Sequence, residues 1–195
     1  MALITENQLI ERVNSEIRKG FYSTYETTRS KAQTFINESK RSQSSSTKVY
    51  DIFLSHSSGD ARYVAGMKLT LEDLGYSVYV DWIEDPELDR SAVTKKNAAV
   101  LRSRMRTCKS LLYAFSQNAS KSTWMPWELG YFDGIKGLVA VAPITNSSNS
   151  TFQGNEYLGL YPYIDLTSNT LWVNETTGEY VSYRSWLSGT KPFKH

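Results

Sequence analysis

The chain has 195 residues and a formal net charge of +2, and its aromatic residues include 13 tyrosines and 5 tryptophans. The near-neutral balance argues against a nucleic-acid-binding protein and against an acidic disordered chain, and no apolar run approaches the ~20 residues that a transmembrane helix needs. The N-terminal sequence becomes polar too early for a signal peptide, and Cys108, the single cysteine, fits a reducing compartment, so we expect a soluble cytoplasmic protein without a membrane anchor.

The first predicted element is an amphipathic helical segment over residues 5–38. Its apolar residues, which recur at steps of three and four and so share one helix face, are Leu9, Ile10, Val13, Ile17 and Phe21. Gly20 predicts a break in this segment, and the polar, Ser-rich residues 40–48 have the composition of a linker. We therefore assign residues 1–47 to an N-terminal helical segment and linker, whose apolar face is expected to pack on the rest of the protein or on a second copy.

From Val49 onward, short apolar runs alternate with helical patterns. Strands are predicted at residues 49–56, 76–82, 110–117, 138–145 and 161–166, and helices at residues 60–75, 91–109 and 122–137. Asp60 is the expected N-cap of the first of these helices, and Gly75 is the residue expected to end it. Strands that alternate with helices predict an α/β fold, in which a parallel sheet of about five strands is covered by helices on both faces.

The C-terminal residues show a different pattern, to which we assign no chemistry. The sequence LWVNETTGEYVSY predicts a hairpin around Thr177 and Gly178, and RSWLSG predicts a short helix after it. We therefore divide the remaining chain into a central domain, residues 48–166, and a C-terminal extension that packs on it, residues 167–195.

Parallel α/β sheets bind ligands beyond the carboxyl ends of their strands, and several known sites of that kind are excluded here. The loop after the first strand, SHSSGD, contains neither the Rossmann fingerprint nor the P-loop motif. The strand ends in Ser55-His56 rather than in the acidic pair of a response-regulator receiver. One cysteine and two histidines are too few for a Cys/His zinc site, so no metal is expected. A triad of Ser55, His56 and Asp81 is disfavoured because adjacent side chains of a strand point to opposite faces.

The stretch STWMPWELGYFDG places one carboxylate, Glu128, among aromatic residues. Ser122 or Thr123 is a suitable N-cap, which predicts a helix that begins near Trp124. Trp124 and Glu128 then lie one turn apart on one face, near the helix N-terminus, where the helix dipole favours a carboxylate. Such a carboxylate can stabilise the positive charge that develops on ribose when its bond to nicotinamide breaks, and the aromatic ring can hold the base.

The same pattern has a purely structural interpretation. Trp124, Trp127, Tyr131 and Phe132 can pack the helix on the sheet while Glu128 remains solvated and is favoured by the helix dipole. The spacing alone supports the nucleotide cleft and the structural helix equally.

Three segments, in this order, resemble the three conserved boxes of the TIR (Toll/interleukin-1 receptor) domain. They are YDIFLSHSSGD at residues 50–60, YSVYVDW with IEDPELDR at residues 76–90, and STWMPWELG at residues 122–130. The resemblance covers about half of the chain and implies a flavodoxin-like fold. A short standalone TIR protein with an N-terminal helical segment is similar to the signal-producing prokaryotic TIR proteins of Thoeris antiphage defence.

The resemblance implies a function and a set of site residues. In enzymatic TIR domains the glutamate of the third box cleaves NAD, and here that residue is Glu128. The residues implied to bind the substrate are Trp124, Ser55, His56, Asp81 and Trp82. NAD is then a substrate, no cofactor is needed, and an ADP-ribose-derived nucleotide, expected to be cyclic, acts as a signal on a separate effector.

Two other functions remain open at this point. One is a non-catalytic TIR interaction module, in which Trp124 and Glu128 are structural, and the other is a nucleoside-processing enzyme such as a deoxyribosyltransferase. The basic residues, interpreted as a solvated helix face because no aromatic residues interleave with them, are Arg90, Lys95, Lys96, Arg102, Arg104, Arg106 and Lys109. Together with the acidic loop EDPELD they predict head-to-tail self-association.

Overall fold

The computed structural model of the chain describes residues 2–18, 48–86, 88, 92–147, 152 and 156–195. Within these ranges the chain forms one mixed sheet flanked by helices, so the predicted α/β class is confirmed. The second helical piece and the Ser-rich linker predicted near the N-terminus lie outside the described residues.

The described residues contain nine strands and six α-helices. The strands are β1 (Ile4–Thr5), β2 (Tyr50–Ser55), β3 (Val78–Tyr79), β4 (Cys108–Phe115), β5 (Val139–Thr145), β6 (Tyr163–Thr167), β7 (Thr170–Thr176), β8 (Glu179–Ser182) and β9 (Phe193–Lys194). The helices are α1 (Glu6–Glu16), α2 (Ala61–Asp73), α3 (Asp81–Glu84), α4 (Lys95–Thr107), α5 (Trp124–Lys136) and α6 (Tyr183–Leu187). In the described ranges, no helix is both long enough and apolar enough to cross a membrane.

The parallel part of the sheet has the strand order β3-β2-β4-β5-β6. Counted from β2, this is the order 2-1-3-4-5 of flavodoxin-like folds, as the TIR resemblance implied. β1 was not predicted as a strand. It lies parallel to the end of β5, where Ile4 faces Ile144 and Thr5 faces Thr145.

Both faces of the parallel sheet are buried beneath helices. Side chains alternate between the two faces along each strand, so each strand contributes to two cores. Leu112, Ala114, Ala140 and Ala142 belong to a core beneath α1, α2 and α6, and Leu111, Tyr113, Val139 and Val141 belong to a core beneath α4 and α5. The continuous apolar run of β5 therefore reflects burial on two sides, as expected for a central strand.

The N-terminal helix α1 begins with a capping box and packs against α2. The hydroxyl of Thr5 accepts from the backbone of Gln8 at 3.3 Å, and Gln8 accepts from the backbone of Thr5 at 2.8 Å. Leu9 is fully buried, and its carbonyl oxygen lies 2.3 Å from the position that a Cβ on Gly66 would occupy. Only glycine at this position allows the two helices to approach so closely.

The C-terminal residues extend the sheet with antiparallel strands, so the sheet is mixed rather than purely parallel. Ser168 and Asn169 join β6 to β7, and their φ angles are 51° and 57°. Two residues with left-handed backbone conformation form the turn of a tight hairpin, so β7 runs antiparallel to β6. A parallel strand would need a long crossover connection instead. The predicted hairpin around Thr177 and Gly178 is present as β7 and β8, and the predicted short helix is α6.

The strand predicted at residues 76–82 is shorter in the structure. Only Val78–Tyr79 pair as a strand, and the amides of Ile83 and Glu84 donate to the carbonyl of Val80 at 3.1 and 2.9 Å. These bonds close one helical turn directly after β3. The turn carries Asp81 and Trp82 beyond the carboxyl end of the strand instead of along it.

Candidate active site

Ser55 and Glu128 meet at the carboxyl end of β2. The hydroxyl of Ser55 donates a 2.6 Å hydrogen bond to Oε2 of Glu128, and both residues are 0% exposed. A buried carboxylate is costly unless donors compensate for lost solvation. The short distance is typical of a charge-assisted O–H···O⁻ bond, which is stronger than a bond between neutral groups.

Helix α5 explains how Glu128 reaches this position. The helix begins at Trp124, as predicted, and the hydroxyl of Ser122 accepts from the amide of Met125 at 3.3 Å. Glu128 lies one turn after Trp124 on the face that packs against the sheet. The structural interpretation placed Glu128 in solvent, and that part of it is wrong because the side chain is completely buried.

Tyr113 lies beside the Ser55–Glu128 pair and was not identified from the sequence. It is the β4 residue directly opposite Ser55 in the parallel ladder, and it is 3% exposed. Burial, the neighbouring Tyr157 and the negative charge of Glu128 raise the pKa of Tyr113 above its ordinary value. The phenol therefore remains protonated at neutral pH.

The aromatic residues of α5 fall into a buried and a partly exposed group. Trp124 is 4% exposed, and its ring meets that of Trp127 edge to face at 5.5 Å. Trp127 stacks on Tyr131 at 5.7 Å, and the guanidinium of Arg102 lies 6.0 Å from the Trp127 ring. The predicted pairing of Trp124 and Glu128 on one face is thus present, and a wall of aromatic rings continues from it toward solvent.

His56 and Asp81 form a second buried polar pair. Nδ1 of His56 lies 2.8 Å from the carbonyl oxygen of Leu54, and because a carbonyl only accepts, Nδ1 carries the hydrogen. Nε2 lies 3.4 Å from Oδ1 of Asp81, and the two residues are each 2% exposed. Oδ1 of Asp81 also accepts from the amide of Trp82 at 2.7 Å, and the Trp82 ring lies 6.4 Å from the imidazole.

The turn α3 is held in place at its C-terminal end by Asp85. Arg104 of α4 donates to this carboxylate through two nitrogens, at 2.7 and 2.6 Å, and the hydroxyl of Tyr79 donates at 2.6 Å. Arg104 was predicted to lie on a solvated helix face, and that prediction is wrong for this residue. Its planar guanidinium matches the two carboxylate oxygens, so one contact between the basic helix and the acidic loop is made within a single chain.

Asp60 is the N-cap residue of α2, as predicted, but its side chain makes no capping hydrogen bond. Its carboxylate instead accepts from the hydroxyl of Ser116 at 2.5 Å and from the side-chain amide of Asn118 at 2.8 Å. Asp60 is 1% exposed, so it connects the loop after β2 to the loop after β4 inside the protein. The cap was predicted from local sequence, whereas the partners lie 56 and 58 residues away.

Of the six residues that sequence and resemblance selected, all but Trp124 lie in two groups at the carboxyl ends of β2 and β3. One pair is Ser55 with Glu128, and the other is His56 with Asp81, flanked by Trp82. Adjacent residues at the end of β2, Ser55 and His56, supply one member of each pair, consistent with side chains that diverge. The sequence predicts that Tyr113 lies on a strand, but only the register between β2 and β4 shows that it is opposite Ser55.

Two known proteins are similar to the chain in sequence. No family model matches the chain. The chain is 33% identical over 85 residues, 43% of this chain and 22% of the relative, to "Putative cyclic ADP-D-ribose synthase TIR2" of Cytobacillus dafuensis. It is 48% identical over 194 residues, 96% of this chain and 98% of the relative, to "Probable 3' cyclic ADP-D-ribose synthase ThsB'" of Bacillus cereus (strain MSX-D12). A match of this extent shows that the chain belongs to the ThsB' family of TIR proteins.

Proposed function

We propose that the protein cleaves the bond between nicotinamide and ribose in NAD and converts the remaining ADP-ribose into a cyclic nucleotide signal for antiviral defence. The observation that carries this proposal is the fully buried Glu128, held by Ser55 at 2.6 Å at the carboxyl end of the sheet. Both relatives are named as cyclic ADP-D-ribose synthases, and the name of the Bacillus cereus relative adds the 3' isomer as the expected product.

The first chemical step needs little help from an acid. When the C1′–N bond of the nicotinamide riboside breaks, its electron pair returns to the pyridinium ring, so nicotinamide leaves neutral. Positive charge develops on C1′ and the ring oxygen of the ribose, as in glycoside hydrolysis. A carboxylate already fixed by Ser55 stabilises this charge without reorganising, which is the most effective form of electrostatic catalysis.

The second step decides the product. A hydroxyl or ring nitrogen of the same ADP-ribose must bond to C1′ for a cyclic product, whereas attack by water gives linear ADP-ribose. A hydroxyl that attacks loses its proton, and in this proposal the carboxylate of Glu128 accepts it. Exclusion of water by Trp124 and the aromatic wall favours the cyclic product.

The rim residues have complementary roles in this proposal. Trp124 supports the nicotinamide-ribose, and His56, Asp81 and Trp82 shape the entrance from the loops after β2 and β3. Because Glu128 is fully covered and Trp124 is 4% exposed, NAD binding includes a local opening of the side chains over the pair.

The remaining parts of the proposal concern the setting of the reaction. NAD is consumed as a substrate, and the chemistry requires neither a cofactor nor a metal. The protein acts in the cytoplasm, where NAD is available, and self-associates through its TIR surfaces. The nucleotide product acts on a separate effector protein, so the two proteins need not touch.

The test is product identification by mass spectrometry after incubation with NAD, and in parallel with deoxynucleosides and a free base. We expect nicotinamide and a product of the mass of cyclic ADP-ribose from NAD, and no base exchange on deoxynucleosides. Exchange of deoxyribose between bases would instead establish a deoxyribosyltransferase. If neither substrate is turned over at high protein concentration, the result would contradict the enzymatic function and favour the interaction module.

A further inference from the structure

The antiparallel extension formed by β6, β7 and β8 carries a cleft on the face opposite the main core. Alternate residues Ile164, Val173 and Val181 pack into the core beneath α2 and α6. The other face of the same strands lines a cleft of about 320 Å³, together with the β7–β8 turn; the lining residues are Asp165, Thr167, Trp172, Asn174, Thr177 and Tyr180. This volume lies at the lower end of the range for small-molecule sites.

Two polar residues line the cleft without being solvated. Asp165 is 0% exposed and Asn174 is 1% exposed, although the solvent face of an antiparallel extension usually carries accessible polar side chains. The carboxylate of Asp165 accepts from the hydroxyl of Thr167 at 2.6 Å, from Asn174 Nδ2 at 2.8 Å and from the amide of Ala2 at 3.5 Å. In the described part of the chain, no lysine or arginine forms an ion pair with this carboxylate.

The side chain of Asn174 has an unused acceptor. Its Nδ2 donates to Asp165 Oδ2 and, at 3.3 Å, to the carbonyl oxygen of Tyr163, so both bonds run toward β6 and define the orientation of the amide. Oδ1 is buried and has no hydrogen-bond partner among the described residues. A buried acceptor without a donor destabilises the folded protein, and each such atom calls for a partner.

The walls of the cleft are aromatic and partly exposed. Trp172 and Tyr180 meet edge to face, with ring centroids 5.4 Å apart and planes at 89°. Tyr180 is the cross-strand neighbour of Asn174, and Trp172 is that of Asp165. Aromatic faces near a carboxylate that has no ion pair among the described residues attract organic cations through the ring quadrupole and through charge.

We propose that this cleft binds a small organic cation with N–H donors, an alkylammonium or a guanidinium. Such a group supplies the donor that Asn174 Oδ1 lacks, pairs its charge with Asp165, and lies against Trp172 and Tyr180. The cation can be a free polyamine-like metabolite or an arginine or lysine side chain of another protein, since both carry the same group. The proposal does not depend on NAD cleavage, because the cleft residues are distinct from Ser55, Glu128 and the rim.

Binding can be measured by NMR on the full chain, following the Trp172 indole N–H and the Asn174 side-chain amide. We expect agmatine and butylammonium to shift these signals with a Kd of about 1 mM or tighter, and neutral butyramide to leave them unchanged. The affinities of acetyl-arginine amide and agmatine are then compared. Tighter binding of acetyl-arginine amide indicates a protein side chain, and tighter binding of agmatine indicates a free metabolite. Equal shifts with the neutral analogue, or no shifts with any cation, would overturn the proposal and leave the Asn174 acceptor to a buried water.

Two matched substitutions locate the site. Asp165→Asn removes the charge while keeping an oxygen that can accept from Asn174, and should weaken cation binding at least about tenfold. Asp133→Asn removes an equal charge from an exposed position on α5, and should leave binding unchanged. Trp172→Ala, at the half-buried wall, provides a second variant if Asp165→Asn does not fold. Glu128→Gln should bind the cations as the wild type does, which separates this proposal from the enzymatic one.

Discussion

At the scale of single residues, the central feature is the hydrogen bond from Ser55 to Glu128. Sequence pattern placed Glu128 on a helix and among aromatic residues, but it did not distinguish a solvated carboxylate from a buried one. The structure shows the buried form, with a 2.6 Å donor from the end of β2. A carboxylate that is fixed in a site without water interacts with developing positive charge more strongly than a solvated carboxylate, whose water molecules must first reorganise.

The Ser55 hydroxyl should therefore be needed for turnover more than for folding. We expect Ser55→Ala to lower kcat for nicotinamide release by about 10- to 100-fold, which corresponds to the loss of one hydrogen bond to a charged group. Ser110→Ala is the matched control, because Ser110 is equally buried but bonds to Asp51 and Tyr183, away from the site. Loss of activity in the control, or an unchanged kcat in Ser55→Ala, would contradict this role.

At the scale of elements, two connections position the site. The turn α3 holds Asp81 and Trp82 at the rim because Arg104 and Tyr79 hold Asp85 at its end. Separately, α1 packs on α2 at a contact that only glycine permits. Neither connection was visible as a local pattern, since each joins residues that are distant in sequence.

The contact between α1 and α2 can be tested with two glycine substitutions of opposite effect. Gly66→Ala places a Cβ 2.3 Å from the Leu9 carbonyl oxygen and must move one helix, which should cost about 1–3 kcal/mol. Gly130→Ala, in a helix with no atom within 4 Å of the new Cβ, should add up to about 1 kcal/mol because alanine favours the helix. Urea denaturation measures both; the same sign of change in the two variants would show that the close contact is absent.

The parts of the fold that could be predicted are those governed by local patterns. The apolar run of β5, the helix beginning at Trp124 and the hairpin at Thr177 depend on residues close together in sequence, and each was predicted. β1 was missed because two residues, Ile4 and Thr5, are too few to show a strand periodicity.

Other differences came from partners that the sequence does not reveal. Asp60 is the N-cap residue of α2, as predicted, but its carboxylate accepts from Ser116 and Asn118 instead of from the helix. Arg104 looks like one of several solvated basic residues until Asp85 is placed opposite it. For the same reason Tyr113, a site neighbour, could be found only once the register of β2 and β4 was known.

At the scale of the whole molecule, the core contains ionisable groups that are neutral when folded. Burial raises the pKa of the Cys108 thiol to about 12, against about 8.5 in an unfolded chain. Burial also raises the pKa of Tyr183 above its ordinary value and that of Tyr161, with Asp133 as a further cause, to about 12. The folded state keeps these protons longer than the unfolded state, so stability present below pH about 8.5 is lost as the pH rises toward 12.

The single cysteine makes this effect measurable. Cys108→Ala removes the thiol titration while the tyrosines remain, and it leaves a small cavity that lowers stability near neutral pH. The difference in unfolding free energy between wild type and Cys108→Ala should shrink by up to about 1.4 kcal/mol per pH unit above pH about 8.5. Urea titrations at several alkaline pH values test this expectation. Parallel curves for the two proteins would show that the thiol is not buried.

The most direct test of the proposed function is nicotinamide release from NAD by the wild type and by Glu128→Gln, at high protein concentration. Glutamine keeps the shape of the side chain and can still accept from Ser55, so the fold, checked by circular dichroism, should persist. We predict turnover by the wild type, unchanged turnover by Asp133→Asn on the exposed face of the same helix, and a decrease of at least about 100-fold for Glu128→Gln. A folded Glu128→Gln protein that releases nicotinamide at the wild-type rate would contradict the assignment of Glu128 as the catalytic carboxylate.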